Sequence, residues 1–267
     1  MLRRSRYEIK TEEQFAIMRE AGLVVAHTLQ RVAEAVMPGI TTLELDEIAE
    51  SSIRDAGAKP SFLGYHGYPA SICVSVNDEV VHGIPGPRVI REGDLVSIDC
   101  GAIVDGWHGD AAVSIGVGEV EPAVAALSKV TEAAMWAGLA MAKPGGRLGD
   151  IGAAVERRVR QDSPDYGIVV DYVGHGIGSA MHLPPNVPNV GPPGRGPELV
   201  VGMALAIEPM ITLGTNEVDV LDDDWTVVTE DGSIAAHWEH TVAITENGPW
   251  VLTAIDGGQS RLANSSG

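Results

Sequence analysis

Apolar and polar residues along this chain fall into two long helical periods, each followed by short runs of strand character. After Thr11, "EEQFAIMREAGLVVAHTLQRVAEAVM" places apolar residues at Ile17, Ala21, Val24 and Val25, the spacing of one helix face, and the pattern stops at Pro38-Gly39. "TTLELDEIAESSIRDAG" predicts a second amphipathic helix, opened by a capping box between Thr41 and Glu44 and closed at Gly57. The plan then returns 106 residues further on, where Pro144-Gly145 stands for Pro38-Gly39, Asp150 for Glu44, Ile151 for Leu45, Glu156 for Glu50 and Val159 for Ile53. Strand-like runs follow each copy: "ASICVSV" after the first, "GMALAIEPM" and "HTVAITE" after the second. A repeated helix–helix–strand unit predicts two similar halves with a cleft where they meet.

One strand pair is specified more sharply. In "SIDCGAIVDGWHGD", Asp105-Gly106 between apolar runs predicts a two-residue type I′ hairpin. That turn pairs Val104 with Trp107, Ile103 with His108, Ala102 with Gly109 and Gly101 with Asp110. Asp99 then shares a face with Asp110 as its diagonal neighbour, about 7–8 Å away. Two carboxylates set together in apolar strands repel, and one is driven towards protonation unless a cation lies between them. Oxygen ligands of this kind suit a hard or borderline divalent metal.

Other residues extend the set. His175 is bracketed by glycines in "GHGIG", His182 follows in "SAMHLPP", Glu208 ends the apolar run "MALAIEPM" and Glu239 enters a strand in "HWEHTVAI". Four acids and a glycine-flanked histidine make an oxygen-rich set with one nitrogen, suited to Mn, Fe, Co or Zn, and enough for two ions if carboxylates bridge. Strand parity puts His108 on the face of Asp99 and Asp110. His66, His82, His237 and His240 are neither included nor excluded by pattern.

Composition narrows the class. A length of 267 residues fits one large α/β domain or two closely packed halves, and the 32 glycines and 16 prolines point to many tight turns. A net charge of −19 argues against nucleic acid as a partner. Two cysteines, Cys73 and Cys100, are too few for a disulfide scaffold and place the chain in a reducing cytoplasm. The basic start "MLRRSRYEIK" has no apolar stretch after it, and the longest apolar run, Ala21–Ala26, is too short to span a membrane. The small, polar tail Gly257–Gly267 is expected to be disordered.

With these residues in place, "SIDCGAIVDGWHGD", "GHGIG" with His182, "AIEPM", "HWEHTVAIT" and "LGYHGYPASICVSVNDEVVHGIP" together resemble the type I methionine aminopeptidases, from Tyr7 to Ala254. The resemblance implies an α/β (α+β) pita-bread fold, with two pseudo-symmetric halves, an antiparallel sheet and flanking helices around a dinuclear metal site. It implies one catalytic domain over 1–256, with halves at 11–120 and 121–254. Asp99, Asp110, His175, Glu208 and Glu239 would hold two divalent ions (Co, Mn, Fe or Zn), Asp110 and Glu239 bridging them, with His108 supporting a ligand. His82, His182 and Glu208 would be catalytic, and Tyr65, Tyr68, Cys73 and Trp225 would join His82 and His182 around the methionine side chain. Phe62 and Met181 depart from the pattern, at positions where a small cysteine and an aromatic residue are usual.

The implied activity removes the N-terminal methionine of nascent proteins and peptides when the second residue is small. The implied setting is a cytoplasmic monomer in transient contact with the ribosome, without nucleic-acid binding of its own or a membrane. Proline-specific relatives of the same fold carry an added N-terminal domain, and type II enzymes carry an insertion between the last two ligands, here only 31 residues apart. A binding module that had lost catalysis would show damaged ligands. A phosphate-ester hydrolase lacks its basic clamp here, and no dinucleotide-binding glycine motif follows a strand.

Overall fold

The computed structural model describes residues 7–263; the basic start Met1–Arg6 and the last four residues of the tail lie outside the described residues. Helix α1 spans Glu12–Ala35 and α2 spans Thr42–Asp55. Both open on the reciprocal caps that the sequence announces. The Gln14 amide donates to Thr11 Oγ1 at 3.3 Å, while the Thr11 amide donates to Gln14 Oε1 at 2.9 Å. At α2 the Thr41 amide donates to Glu44 Oε2 at 2.8 Å.

The stripe that α1 buries differs by a fraction of a turn from the expected one. Phe15, Met18, Ala21, Val25, Leu29 and Val32 are buried, while Ile17 and Val24 sit at the stripe's edges. The helix lies along the Trp107–Gly116 strand, where Gly22 and Gly109 meet backbone to backbone. A Cβ on Gly109 would come within 2.8 Å of the Gly22 nitrogen. That contact, more than side-chain periodicity, sets the helix's rotation.

Helices α3 (Pro122–Leu139) and α4 (Leu148–Asp162) form the second pair. The positions matched across the 106-residue offset play matching parts. Leu45 and Ile151 are fully buried, Ile53 and Val159 likewise, and Asp150 Oδ2 accepts from the Arg147 amide at 2.7 Å as Glu44 does at α2. Gly39 and Gly145, each after its proline, both take positive φ (100° and 83°).

Both helix pairs pack against a curled sheet whose strand pairings are all antiparallel. Its order runs Lys59–Pro60, Leu95–Val104, Trp107–Gly116, Glu239–Thr245, Ala204–Ile207, Gly174–Gly176, Leu183–Val187. Ile72–Val76 also pairs with Leu95–Val104, and Gly248–Val251 with Glu239–Thr245. Two three-stranded sheets complete the fold, one carrying Ala235–His237 and the other the hairpin Val218–Val220 with Val227–Thr229. This is the pita-bread arrangement.

The tail corrects an expectation. Gly257 and Gly258 take positive φ, Asp256 accepts from the Gly258 and Ser260 amides, and a short helix α5 follows at Gln259–Leu262. Leu262 packs on the core of the second helix pair, and the Arg261 guanidinium stacks 5.5 Å from the Trp136 ring centre. One leucine and one arginine dock a segment whose composition is otherwise small and polar. No helix among the described residues is long and apolar enough to cross a membrane.

Candidate active site

Strand register brings the acids together. The hairpin turn forms at Asp105-Gly106, with φ of 45° and 83°, and the pairs Val104–Trp107, Ile103–His108, Ala102–Gly109 and Gly101–Asp110 follow. Asp99 lies opposite Ala112, and Glu239 lies opposite the same Ala112 from the other side. A row Asp99–Ala112–Glu239 therefore crosses three strands on one face. Beside it runs a second row. Asp110 is tied to Thr241 by two hydrogen bonds (the Asp110 amide to Thr241 Oγ1 at 3.1 Å, and Thr241 Oγ1 to Asp110 O at 2.8 Å). Thr241 pairs with Ala206, and Ala206 with His175. Glu208 stands one residue past the His240–Ile207 pair, where Pro209 ends the strand. Small alanines at 112 and 206 leave the space between the rows to the charged groups.

His175 needs its glycines. A Cβ on Gly174 would lie 2.3 Å from Ala206 O, and one on Gly176 would lie 2.4 Å from Pro184 O. The Gly176 carbonyl accepts from His175 Nδ1 at 3.0 Å, which leaves Nε2 facing Glu208 Oε1 at 3.4 Å. With Nδ1 carrying the proton, Nε2 is free to act as a ligand.

One atom each from Asp110, His175 and Glu239 lies within 4.8 Å of the others. Asp99 Oδ1, Asp110 Oδ1 and Glu239 Oε1 are buried with no hydrogen-bond partner. Burial holds the Asp99 carboxyl up at about 7, and burial and mutual repulsion hold Asp110, Glu208 and Glu239 well above the usual carboxylate range. Burial also pushes His175 down to about 3 and His82 to about 4, keeping both neutral. Orphaned carboxylate oxygens converging on a neutral imidazole fit a divalent cation.

A cavity of about 120 Å³ opens onto this cluster. It is lined by the four acids and His175 together with His82, His182, Tyr65, Tyr68, Cys73 and Trp225, as well as Phe62 and Met181. Tyr68 donates to Gly83 O at 3.0 Å and meets the Trp225 ring edge-on at 5.0 Å, so both rings are fixed walls. Asp223 Oδ1 holds the Trp225 amide at 2.9 Å. Phe62 occupies space over Gly101, where a Cβ would come within 2.8 Å of its ring. His182 stands at the mouth, 2.7 Å from the Tyr65 hydroxyl through Nδ1, with its ring 4.2 Å from that of His175. His82 takes a left-handed φ of 61° beside Trp225 and Tyr172.

His108 shares the face, as its parity predicts, but one row out, where Nδ1 bonds Ser61 Oγ at 3.0 Å. His66 and His240 take no part in the cavity lining, and His240 Nδ1 is paired with Thr253 Oγ1 at 2.8 Å. Of the histidines that pattern reading left undecided, the fold brings in His82, which lines the cavity, and His237, whose Nε2 lies 3.8 Å from Glu208 Oε2. His237 belongs to a different sheet from Glu239, so no strand periodicity links the two.

Residues 16–246 match the profile of metallopeptidase family M24. Methionine aminopeptidase 1 of Mycobacterium tuberculosis is 58% identical over 241 residues, 88% of this chain and 91% of that protein. The crystal structure of methionine aminopeptidase from Thermotoga maritima superposes with a TM-score of 0.90 at 44% identity, over 92% of this chain and 99% of that one. The prolidase from Pyrococcus furiosus shares the fold, with a TM-score of 0.73 at 24% identity, and this chain covers 66% of its length.

Proposed function

The chain belongs to the methionine aminopeptidases of metallopeptidase family M24, and on that premise we propose how its residues divide the work. It is a metal-dependent hydrolase that removes the N-terminal methionine from proteins and peptides. Asp99, Asp110, His175, Glu208 and Glu239 are the residues that would hold two divalent ions. The observation that carries this reading is the convergence of Asp110, His175 and Glu239 within 4.8 Å, with carboxylate oxygens left unpaired. When bound, divalent ions supply a nucleophile from water near neutral pH and polarise the scissile carbonyl.

The protein's own groups do the rest. Glu208, 13% exposed at the edge of the cluster, takes the proton of the attacking water and passes it to the leaving amine. His182, oriented by Tyr65, donates to the oxygen on which negative charge develops. His82, held neutral by burial, hydrogen-bonds the substrate beside the scissile amide. The rings of Tyr65, Tyr68 and Trp225 with the Cys73 thiol receive the unbranched, polarizable methionine side chain. Crowding at the mouth around His182 restricts the second residue to small side chains. We further read residues 1–256 as one catalytic domain whose halves, 11–120 and 121–254, meet at this site. It works as a monomer in the cytoplasm on emerging chains.

The test is methionine release by metal-stripped protein after adding Mn, Co, Fe or Zn singly. The peptides begin Met-Gly, formyl-Met-Gly or Ala-Pro. Metal-dependent release from Met-Gly alone is expected, and the titration counts the ions. Equal release from the formylated peptide, or none with any metal, would overturn the reading.

A further inference from the structure

His237 has no role in the scheme above, yet it is buried beside Glu208. Its side chain is 2% exposed, and its Nε2 is buried without a hydrogen-bond partner. A core histidine with an unsatisfied ring nitrogen is costly unless that nitrogen has a task. Its backbone is pinned on both sides: the His237 amide donates to Ser114 Oγ at 2.9 Å, and Ser114 Oγ donates to His237 O at 2.8 Å. The ring therefore cannot turn away by a backbone shift. It faces Glu208 Oε2 across 3.8 Å, while the other oxygen of the same carboxylate, Oε1, faces His175 Nε2 at 3.4 Å.

Glu208 is thus flanked by two imidazoles, one on each oxygen, and they are not equivalent. His175 Nδ1 is 3.0 Å from the Gly176 carbonyl, so its Nε2 is a lone-pair site. We propose that His237 is a positioning residue for Glu208, its Nε2–H donating to Oε2 and so directing Oε1 towards the ion shared with His175. Closing the 3.8 Å gap to an ordinary hydrogen bond takes about 0.8 Å, a carboxylate adjustment within reach when the cluster tightens around a cation. The donor fixes which oxygen is the ligand and which remains to handle the proton. The inference rests on Glu208 being a ligand.

Manganese binding to metal-stripped wild type, His237→Leu, His237→Gln, His237→Asn and Glu208→Gln, followed by calorimetry, tests it without recourse to activity. Leucine removes the donor and keeps the bulk, glutamine restores a donor of similar reach, and asparagine carries one too short to span the gap. The expected result is a loss of about 10–100-fold in affinity for the ion that Glu208→Gln also loses, in the leucine and asparagine variants alone. Glutamine should stay within about threefold of wild type, and the remaining binding event should be unchanged. Unaltered binding by His237→Leu would overturn the proposal, as would His237→Gln binding as weakly as His237→Leu. If the leucine variant fails to fold, the glutamine–asparagine difference decides. If Glu208→Gln binds both ions as wild type does, the ligand assignment itself has failed, and that outcome is separate from the first two.

Discussion

Asp99 and Glu239 lie opposite the same residue, Ala112, from the two neighbouring strands. The two carboxylates are 140 residues apart in sequence but share one row of one sheet face. With Asp110 in the adjoining row, the site gathers carboxyls that burial and mutual repulsion hold above their usual range.

Asp110→Asn should expose that tension. Its carboxyl is buried beside Asp99 and Glu239 and is held far above its ordinary range. The substitution should raise the melting temperature of the metal-free protein at alkaline pH, because the folded state then no longer has to keep a proton on this buried carboxyl or bury its charge. It should also lower methionine release by the loaded enzyme about 100-fold or more, several kcal/mol of transition-state stabilisation. Thermal melts with and without manganese, set beside turnover, check both signs.

The pH dependence of the metal-free protein follows from opposed shifts. Asp99 titrates at about 7 in the folded state instead of 3.8, so the folded protein holds a proton that the unfolded chain gives up. Its stabilising contribution is full below the unfolded value and is lost as pH rises towards 7, and the other three carboxylates extend that loss upward. His175, His82 and His237 are depressed to between about 3 and 4, so their contribution is full above 6.5 and is lost as pH falls. The metal-free melting temperature should therefore fall from pH 6.5 to 8.5. Manganese should stabilise more at the higher pH, where protons no longer compete for the ligands. Melts at the two values suffice; a metal-free protein more stable at 8.5 would contradict the account.

Tyr65→Phe deletes the hydroxyl that lies 2.7 Å from His182 Nδ1. The histidine stays at the mouth but loses its orientation. The expected cost is about 0.5–1.5 kcal/mol, a 2- to 12-fold fall. It should fall on kcat, with KM little changed, because the group acts where charge develops.

Phe62 fills space above Gly101 and lines the cavity beside Met181. Phe62→Ala should widen the pocket and raise KM for methionine peptides, while improving acceptance of larger first side chains relative to methionine. Competition between Met-Gly and Phe-Gly peptides measures the ratio. An unchanged ratio would place the ring outside the specificity wall.

Gly22→Ala should destabilise without touching the chemistry. A Cβ there would sit 2.2 Å from Leu252 O, in a segment whose carbonyls at 252, 254 and 255 also accept from the Arg19 guanidinium at 2.6–2.7 Å. A clash against backbone costs about 1–3 kcal/mol, and at this chain length each kcal/mol lowers the melting temperature by about 2–4 °C. Relative metal affinity should be unaltered.

What the amino-acid order decides unaided is local. Thr11 with Gln14, and Thr41 with Glu44, close their caps within three residues. Asp105-Gly106 forces a tight turn, and a period of two then carries the register outward until Asp99 and Asp110 share a face. The glycines around His175 show in the sequence the close backbone approach that they permit. His175, Glu208 and Glu239 stand out in the sequence by their settings, but nothing in their spacing required them to meet.

Their meeting is the work of pairings across more than 100 residues. Asp110 is joined to Thr241 through a side-chain hydroxyl, and His175 reaches the row through Ala206. The rotation of α1 was set by a glycine–glycine contact, and the docking of the tail by Leu262 and Arg261. His237 shows the limit most plainly. It is two residues from Glu239 in the chain but belongs to another sheet, and only the packing of the two sheets turns its ring towards Glu208. Sequence periodicity specifies which face a side chain leaves by; which faces then converge depends on long-range burial, and no local signal carries that.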